Sequence, residues 1–498
     1  MSQPTRGLVA NGSKVRQLRA QADELMQHLD DAGRLEVIQQ QADAAAPELQ
    51  PAQQAPKFTP TLEQQRAIDG LVDFARSGTG GNFATLLGPA GTGKSTISRL
   101  VRQALTDAGF SVGLAAPTHK ACQVLADACG VSKDETATFA SLLALREKKV
   151  GDQVEFVRDW RRKPRIDEYD IWICDEASML EPQMLEMIQQ EADFWDRFIF
   201  IGDPAQLPPV TYGKVSPALR LTPRFELKRV MRHDGAVLDA ATAIRQTAGN
   251  TWRTRFHQSV IGDGSAIYTY EDKRKWQHAI LDFAAEHHAD PDAFRVLCFR
   301  RMEVAKINLG IRRHVFGRDA DPFLEGERLI TVEPIKDPAD PDGFPLYGTS
   351  RELVIQQATS TEQLLPSCSD GIPYRCWQLI VLAEGPGELP KRITVIDPSH
   401  EGKLAVTLGQ LAGEAKEHPG EQGAWDPYWE LRDAFAQVQP AWAMTVHKAQ
   451  GSQFRHVFIS PDLDTAPGPK SMRRHLWYTG FTRSQQAVHL VADPGVQG

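Results

Sequence analysis

The chain has 498 residues, of which 41% are hydrophobic and 24% charged, with 64 acids against 56 bases and a net charge of −8. That length suits about three folded units, and the composition is that of packed globular protein and not of a disordered chain. The acidic balance excludes a histone-like protein that binds nucleic acid by bulk charge, yet leaves room for a local basic groove.

Cys122, Cys129, Cys174, Cys298, Cys368 and Cys376 include no Cys-x-x-Cys pair, so zinc-ribbon spacing is absent and the thiols read as core residues of a reducing compartment. Met1 to Arg6 is polar and lacks the apolar segment of a signal peptide, and no apolar run approaches the ~20 residues that span a bilayer. The expected location is cytoplasmic, with no membrane partner.

In chain order, residues 1–57 are expected to form a helical extension and a linker. Leu18, Leu25, Met26, Leu29, Leu35 and Ile38 recur at helical spacing, and a Pro/Gln-rich stretch follows at 46–60. Residues 58–220 alternate strands and helices, which argues for a parallel α/β sheet. Phe83–Leu87, Val112–Ala116, Asp170–Cys174 and Phe198–Ile201 are its apolar strands, and Ser95–Ala108 is a helix. Residues 326–436 are rich in Pro and Gly, with short β-like runs at Arg328–Val332, Glu352–Ile355, Gln378–Leu382 and Arg392–Ile396, the mark of a small β-barrel-like insertion. Buried-strand character returns at Ala441–Val446, Val457–Ser460 and Ala487–Val491. The expected architecture is α/β, with two parallel-sheet domains at 58–220 and at 221–325 plus 437–498, and the β insertion inside the second.

Gly88-Pro89-Ala90-Gly91-Thr92-Gly93-Lys94-Ser95 fits G-x-x-x-x-G-K-[ST] between a strand and a helix, and Thr96 follows. Glycines let such a loop wrap a polyphosphate with its N–H groups pointing inward. Lys94 suits the β- and γ-phosphates and Ser95 a magnesium ion. Asp175-Glu176 ends the apolar strand Ile171–Cys174. Beside a phosphate loop, Asp175 suits Mg²⁺ and Glu176 the base for an attacking water. The chemistry these residues imply is hydrolysis of Mg-ATP or another nucleoside triphosphate.

The motifs that follow resemble those of superfamily 1 helicases, of the RecD/Dda-like, 5′-to-3′ branch. Gly202-Asp203-Pro204-Ala205-Gln206-Leu207-Pro208-Pro209 resembles motif III, in which the glutamine senses the γ-phosphate. Asp175-Glu176-Ala177-Ser178 resembles motif II, and Ala116-Pro117-Thr118-His119-Lys120-Ala121 the DNA-contacting motif Ia. Thr445-Val446-His447-Lys448-Ala449-Gln450-Gly451-Ser452 resembles motif V. Tyr478-Thr479-Gly480-Phe481-Thr482-Arg483-Ser484 resembles motif VI, whose arginine reaches the γ-phosphate from the second domain. Gln64 is similar to the adenine-reading Q motif, with Gln65 as the alternative register, and Arg232 to the motif IV arginine. Thr138-Phe139-Ala140-Ser141 departs from the branch at Ala140, where a histidine is usual, although Ser141 is kept.

The resemblance covers about residues 58–498 and implies two RecA-like motor domains, ATP and Mg²⁺ as cofactors, and an SH3-like accessory domain at 326–436. It implies single-stranded DNA and single-strand/duplex junctions as partners, with single-strand-binding or replication proteins as further candidates, and a functional monomer. Replication, recombination and repair are the processes such motors serve. Candidate ATP ligands are Gln64, Gly88–Thr96 and Gly451. Candidate DNA contacts are Pro117, Thr118, His119, Lys120, Ser141, Phe156, Thr445, His447 and Lys448. Residues 146–165 hold eight bases and four acids, a net of +4, and resemble the strand-splitting β-hairpin, or pin, of this branch within an insertion at about 143–168. Phe156 or Trp160 is then placed to stack on the last base pair. A DNA-stimulated translocase that strips proteins, and an RNA helicase, are the alternative readings.

Overall fold

A computed structural model describes residues 59–77, 81–150, 153–159, 161–209, 212–230, 235–246, 259–260, 265–337, 345–365, 373–385, 388–418, 421 and 423–492. The expected helical extension and linker at 1–57 lie outside the described residues, as do Trp160, Arg232 and Cys368. The elements named below all lie in one compact unit, Pro60–Glu384 with Lys391–Gly498.

The first region runs α1 (Leu62–Ser77), β1 (Phe83–Leu87), α2 (Lys94–Asp107), β2 (Val112–Ala116), α3 (His119–Cys129), β3 (Thr136–Thr138), the short α4 (Phe139–Leu142), β4 (Leu145–Val150), β5 (Gln153–Arg158), β6 (Ile171–Cys174), α5 (Pro182–Glu191), β7 (Arg197–Gly202) and β8 (Arg224–Glu226). Its central strands β1, β2, β6 and β7 are largely apolar and buried, the pattern of strands covered on both faces. They form a six-stranded parallel sheet in the order β3-β2-β6-β7-β1-β8. Alternation along the strands divides the core. Leu86, Leu114, Ile171, Ile173, Ile199 and Ile201 pack with Leu71, Val101 and Leu105 on one side. Leu87, Ala115, Trp172, Cys174, Phe198 and Phe200 pack with Leu185, Ile188 and Leu219 on the other. Full burial of each large side chain contributes about 2 kcal/mol. The sheet extends past the expected boundary at residue 220, because Arg224–Glu226 pairs alongside β1.

The second region adds α6 (Ala236–Gln246), β9 (Ser259–Val260), β10 (Ala266–Tyr270), α7 (Lys273–His287), β11 (Phe294–Cys298) and α8 (Arg301–Phe316). An inserted segment supplies β12 (Arg328–Thr331), β13 (Glu352–Gln363), β14 (Tyr374–Ala383), β15 (Lys391–Ile396), α9 (Glu401–Glu417), α10 (Asp426–Asp433) and β16 (Val438–Pro440). The chain ends with β17 (Ala443–Thr445), β18 (Phe454–Ile459), α11 (Lys470–Thr482) and β19 (Ser484–Val491). The second sheet has the order β17-β11-β18-β19-β10-β9, parallel except for the β9–β10 pair.

The insertion is a five-stranded antiparallel sheet, β15-β14-β13-β12-β16. It differs from the expected β-barrel-like reading in carrying the helices α9 and α10. Leu404, Leu408 and Leu411 recur at helical spacing and cover Tyr374, Leu431 and Phe435. Trp377 and Trp429 are buried, so neither offers a face for base stacking. The β4–β5 pair is a separate antiparallel hairpin, and Phe156 on it is 54% exposed.

Among the described residues no helix is long and apolar enough to cross a membrane, and the five described cysteines are buried and free.

Candidate active site and strand interface

In an open parallel α/β sheet, ligand chemistry gathers outside the carboxyl ends of the strands. The phosphate loop leaves the end of β1 and opens α2. Gly91 and Gly93 have φ of 80° and 87°, a left-handed conformation that side chains disfavour. A Cβ at Gly88 would meet Thr92 Oγ1 at 2.6 Å, and one at Gly93 would meet Gln64 Nε2 at 2.9 Å. Lys94 Nζ donates to the Gly88 and Pro89 carbonyls at 2.9 and 3.0 Å, which curls it back over the loop. Ser95 is exposed at the first turn of α2, and Thr96 is half-buried behind it.

Gln64 is buried, accepts from Thr61 N–H at 2.9 Å and donates to the Thr92 carbonyl at 3.0 Å. Gln65 is exposed and donates to Asp69 at 2.8 Å. Of the two registers, Gln64 is therefore the one that reaches the phosphate loop.

Asp175 and Glu176 follow β6. Burial, and then the neighbouring Glu176 carboxylate, push the Asp175 carboxyl up to about 6 against the pull of Lys94. Glu176 has φ of 50°, and its Oε2 is buried with no hydrogen-bond partner. A pair of carboxylates crowded in this way is a hard-oxygen donor set that fits Mg²⁺. Ser95 and Asp175 are the residues that would hold it.

Gln206 lies in the loop after β7, buried, with Oε1 unpartnered. Arg483 arrives from the C-terminal end of α11. It is buried, donates to the Thr479 carbonyl at 3.3 Å and to Thr482 Oγ1 at 3.0 Å, and brings Nη1 to 4.0 Å from Glu176 Oε1. The structure thus brings together the P-loop, Asp175-Glu176, Gln206 and Arg483 from opposite ends of the chain. Arg232 lies outside the described residues.

A cavity of about 400 Å³ opens beside the loop, lined by Gly88–Gly91, Leu227, Val237, Ala241, Arg245 and Tyr478 among others. Helix α6 and Tyr478 were not among the expected site residues. The apolar side of α6 was legible at Val237, Ala240, Ala241 and Ile244, but nothing local places that face against the phosphate loop. Gly451, expected among the ATP ligands, does not line this cavity. Its φ is 81°, and a Cβ there would approach Ala121 Cβ at 3.0 Å, so its small size serves a close approach to α3.

The expected strand contacts form a second cluster. Thr118 caps α3, accepting from Ala121 N–H at 3.2 Å, and Pro117 precedes it at the end of β2. Ser141 bonds back to the Thr138 carbonyl at 3.0 Å and is held by the same turn. His119 lies under Gly348 of the insertion, where a Cβ would stand 2.4 Å from the imidazole Cδ2. Lys120 Nζ is 3.9 Å from Glu384 Oε2, which also pairs with Arg328. Across from these, Thr445 accepts from Lys448 N–H at 3.3 Å. Burial lowers the His447 pKa below the ordinary imidazole value. Lys448 Nζ donates to the Val332 carbonyl at 2.9 Å, and burial, then the Arg301 charge, bring its pKa down to about 8. Residues of both sheets and of the insertion therefore meet around His119, Lys120 and Lys448, whereas Phe156 stands apart on the hairpin.

The AAA domain family matches residues 61–260, and the UvrD-like helicase C-terminal domain family matches residues 440–491. The chain is 28% identical over 431 residues to the ATP-dependent DNA helicase dda of Enterobacteria phage T4, covering 82% of this chain and 94% of that protein. It is 24% identical over 469 residues to the RecBCD enzyme subunit RecD of Mycolicibacterium smegmatis, covering 87% of this chain and 71% of the relative. It is 30% identical over 193 residues to the ATP-dependent RecD2 DNA helicase of Deinococcus radiodurans, covering 38% of this chain and 24% of the relative. In its ordered motifs and in these relatives the chain is similar to the superfamily 1 helicases of the RecD/Dda-like branch.

Proposed function

We propose that the protein is an ATP-dependent DNA helicase that moves 5′-to-3′ on single-stranded DNA and opens duplex ahead of it. The observation that carries this reading is the approach of Arg483, on the second sheet's α11, to Glu176 beside the phosphate loop of the first.

The chemistry is phosphoryl transfer to water, in which the protein positions groups and stabilises charge. Loop N–H groups and Lys94 hold the phosphates. Ser95 and Asp175 would hold a Mg²⁺ ion, which would supply positive charge to the transferring phosphates. Glu176 orients and deprotonates the attacking water through its unpartnered Oε2. Gln206 contacts the γ-phosphate, and Arg483 takes up transition-state charge on it. Because Arg483 comes from the other sheet, hydrolysis requires the two domains to close, and product release lets them open.

Closure becomes stepping if each domain grips the strand in turn. Pro117, Thr118, His119, Lys120 and Ser141 are the first domain's grip, and Thr445, His447 and Lys448 the second's. Hydroxyls and ammonium groups suit phosphates, and imidazoles suit bases. The antiparallel insertion serves as the accessory domain over the strand. The β4–β5 hairpin, with Phe156 exposed, serves as the wedge at the junction.

Strand separation on matched duplexes with a 5′ or a 3′ single-stranded tail, with ATP and Mg²⁺, tests the reading. Opening of the 5′-tailed DNA alone is expected. Opening of the 3′-tailed DNA alone overturns the direction. DNA-stimulated hydrolysis without opening of either replaces unwinding by translocation, and stimulation by RNA alone replaces DNA by RNA.

A further inference from the structure

Helix α11 does more than carry Arg483. At one face, spaced i, i+3 and i+4, it presents His475, Tyr478 and Thr479 to the loop that follows β7 in the other sheet. His475 Nδ1 meets the Ala205 carbonyl at 2.7 Å. Tyr478 donates to Asp203 Oδ2 at 2.6 Å. Thr479 Oγ1 accepts from Leu207 N–H at 3.1 Å. These three bonds hold residues 203, 205 and 207, and so fix Gln206 between them.

Tyr478 has a second partner. Its oxygen accepts from Ala90 N–H, within the phosphate loop, at 3.4 Å. Asp203 is fully buried, and its other oxygen accepts from Ala205 N–H at 3.0 Å and faces Arg245 at 3.6 Å. Burial and the Asp203 carboxylate raise the phenol pKa, so the hydroxyl stays protonated and remains the donor to Asp203. One hydroxyl on the second domain therefore joins two parts of the first: the phosphate loop and the loop of Gln206.

We propose that Tyr478 is a positioning residue that couples phosphate-loop occupancy to the Gln206 loop, its hydroxyl covering Ala90 N–H without nucleotide and yielding that donor when a nucleotide phosphate enters. The inference rests on the ATP-driven helicase reading above. Backbone N–H groups of such a loop are phosphate donors, so the phenol and the nucleotide compete for Ala90. The stronger bond to Asp203 persists, and α11 then moves with the Gln206 loop as one piece, carrying Arg483.

The test is Tyr478→Phe in the full chain, with steady-state ATP hydrolysis measured at saturating single-stranded DNA. The ring and its packing are kept, and only the hydroxyl is lost. The expected result is a fall in kcat of about tenfold, the scale of coupling between sites, with a KM for ATP that stays level or falls because Ala90 N–H is released. A residue that merely supported the fold would raise KM or leave kcat alone, and either result overturns the proposal.

Wild-type protein with no DNA-stimulated hydrolysis would instead refute the helicase reading, before any variant is compared.

Discussion

Arg483 Nη1 stands 4.0 Å from Glu176 Oε1, although the two residues belong to different sheets and to segments some three hundred positions apart. The guanidinium is held on its own helix by Thr479 and Thr482, so it reaches Glu176 as a preset group. An arginine brought across a domain boundary to a transferring phosphoryl group typically supplies ~10³-fold or more in rate. Arg483→Ala should therefore lower kcat by about 10³-fold while ATP still binds. Rapid-quench hydrolysis with a parallel nucleotide-binding titration separates the two. An unchanged single-turnover rate would remove Arg483 from the chemistry.

Glu176 makes the complementary prediction. Glu176→Gln keeps the size of the side chain and the backbone at φ 50°, but removes the base. It should bind ATP and single-stranded DNA and fail to turn over, as Lys94→Ala should fail through loss of the phosphate clamp. Near wild-type hydrolysis by Glu176→Gln would show that another group activates the water.

Gly348 tests the strand interface. An alanine Cβ there would lie 2.4 Å from His119 Cδ2 and 2.9 Å from Nε2, so the imidazole must swing away. Gly348→Ala should weaken single-stranded DNA binding about fivefold, as expected of overpacking against a contact residue. His119→Ala removes the clash along with the contact. The double variant should then bind no more weakly than His119→Ala alone, and fluorescence anisotropy of labelled oligonucleotides measures all three. Additive losses would place Gly348 outside the His119 contact.

The candidate catalytic groups stand out in the sequence because local chemistry confines them. The phosphate loop needs small residues at fixed positions, and an acidic pair at the end of an apolar strand has few other uses. The contacts that connect these motifs were not legible. Tyr478 reads as another aromatic of a buried helix until the fold sets it between Ala90 and Asp203. Gly348 looks like one more glycine of a Gly-rich insertion until His119 lies beneath it. Within that insertion, the polar remainder of β13 hid a strand three times as long as its apolar start, and Pro/Gly content hid α9 despite the spacing of Leu404, Leu408 and Leu411.

Phe156 is 54% exposed on β5, in a hairpin that makes no part of either large sheet. An aromatic face stacked on a base is worth about 1–3 kcal/mol. Phe156→Ala should slow unwinding of tailed duplexes while DNA-stimulated hydrolysis on single strands stays at the wild-type rate. Equal loss of both activities would show that the hairpin serves the motor itself and not the junction.

The second domain's core carries an acid sensitivity that can be calculated in sign. His489 bonds to the Tyr270 hydroxyl through Nδ1 at 2.9 Å and to His456 Nδ1 through Nε2 at 3.0 Å, and it stacks on Tyr268 and Phe458. With the phenol as donor to Nδ1, and Nε2–H donating to His456, every polar atom of His489 is satisfied in the neutral form. Burial, and then His456, hold the His489 pKa down at about 3. Burial, then His287 and Arg455, hold His456 at about 4. Both lie below the unfolded value, so the unfolded chain binds more protons as soon as the pH drops through about 6.5. The stability is present in full above that pH and is lost as it falls toward 4 and then 3. His489 contributes at most about 1.4 kcal/mol per pH unit, and the more solvated His456 less. Urea unfolding between pH 7.5 and pH 4.5, taken in steps of about one unit, should show this slope. His489→Phe should lower stability at neutral pH, by loss of both hydrogen bonds, and flatten the acid slope. A variant with the wild-type slope would place the acid-sensitive groups elsewhere.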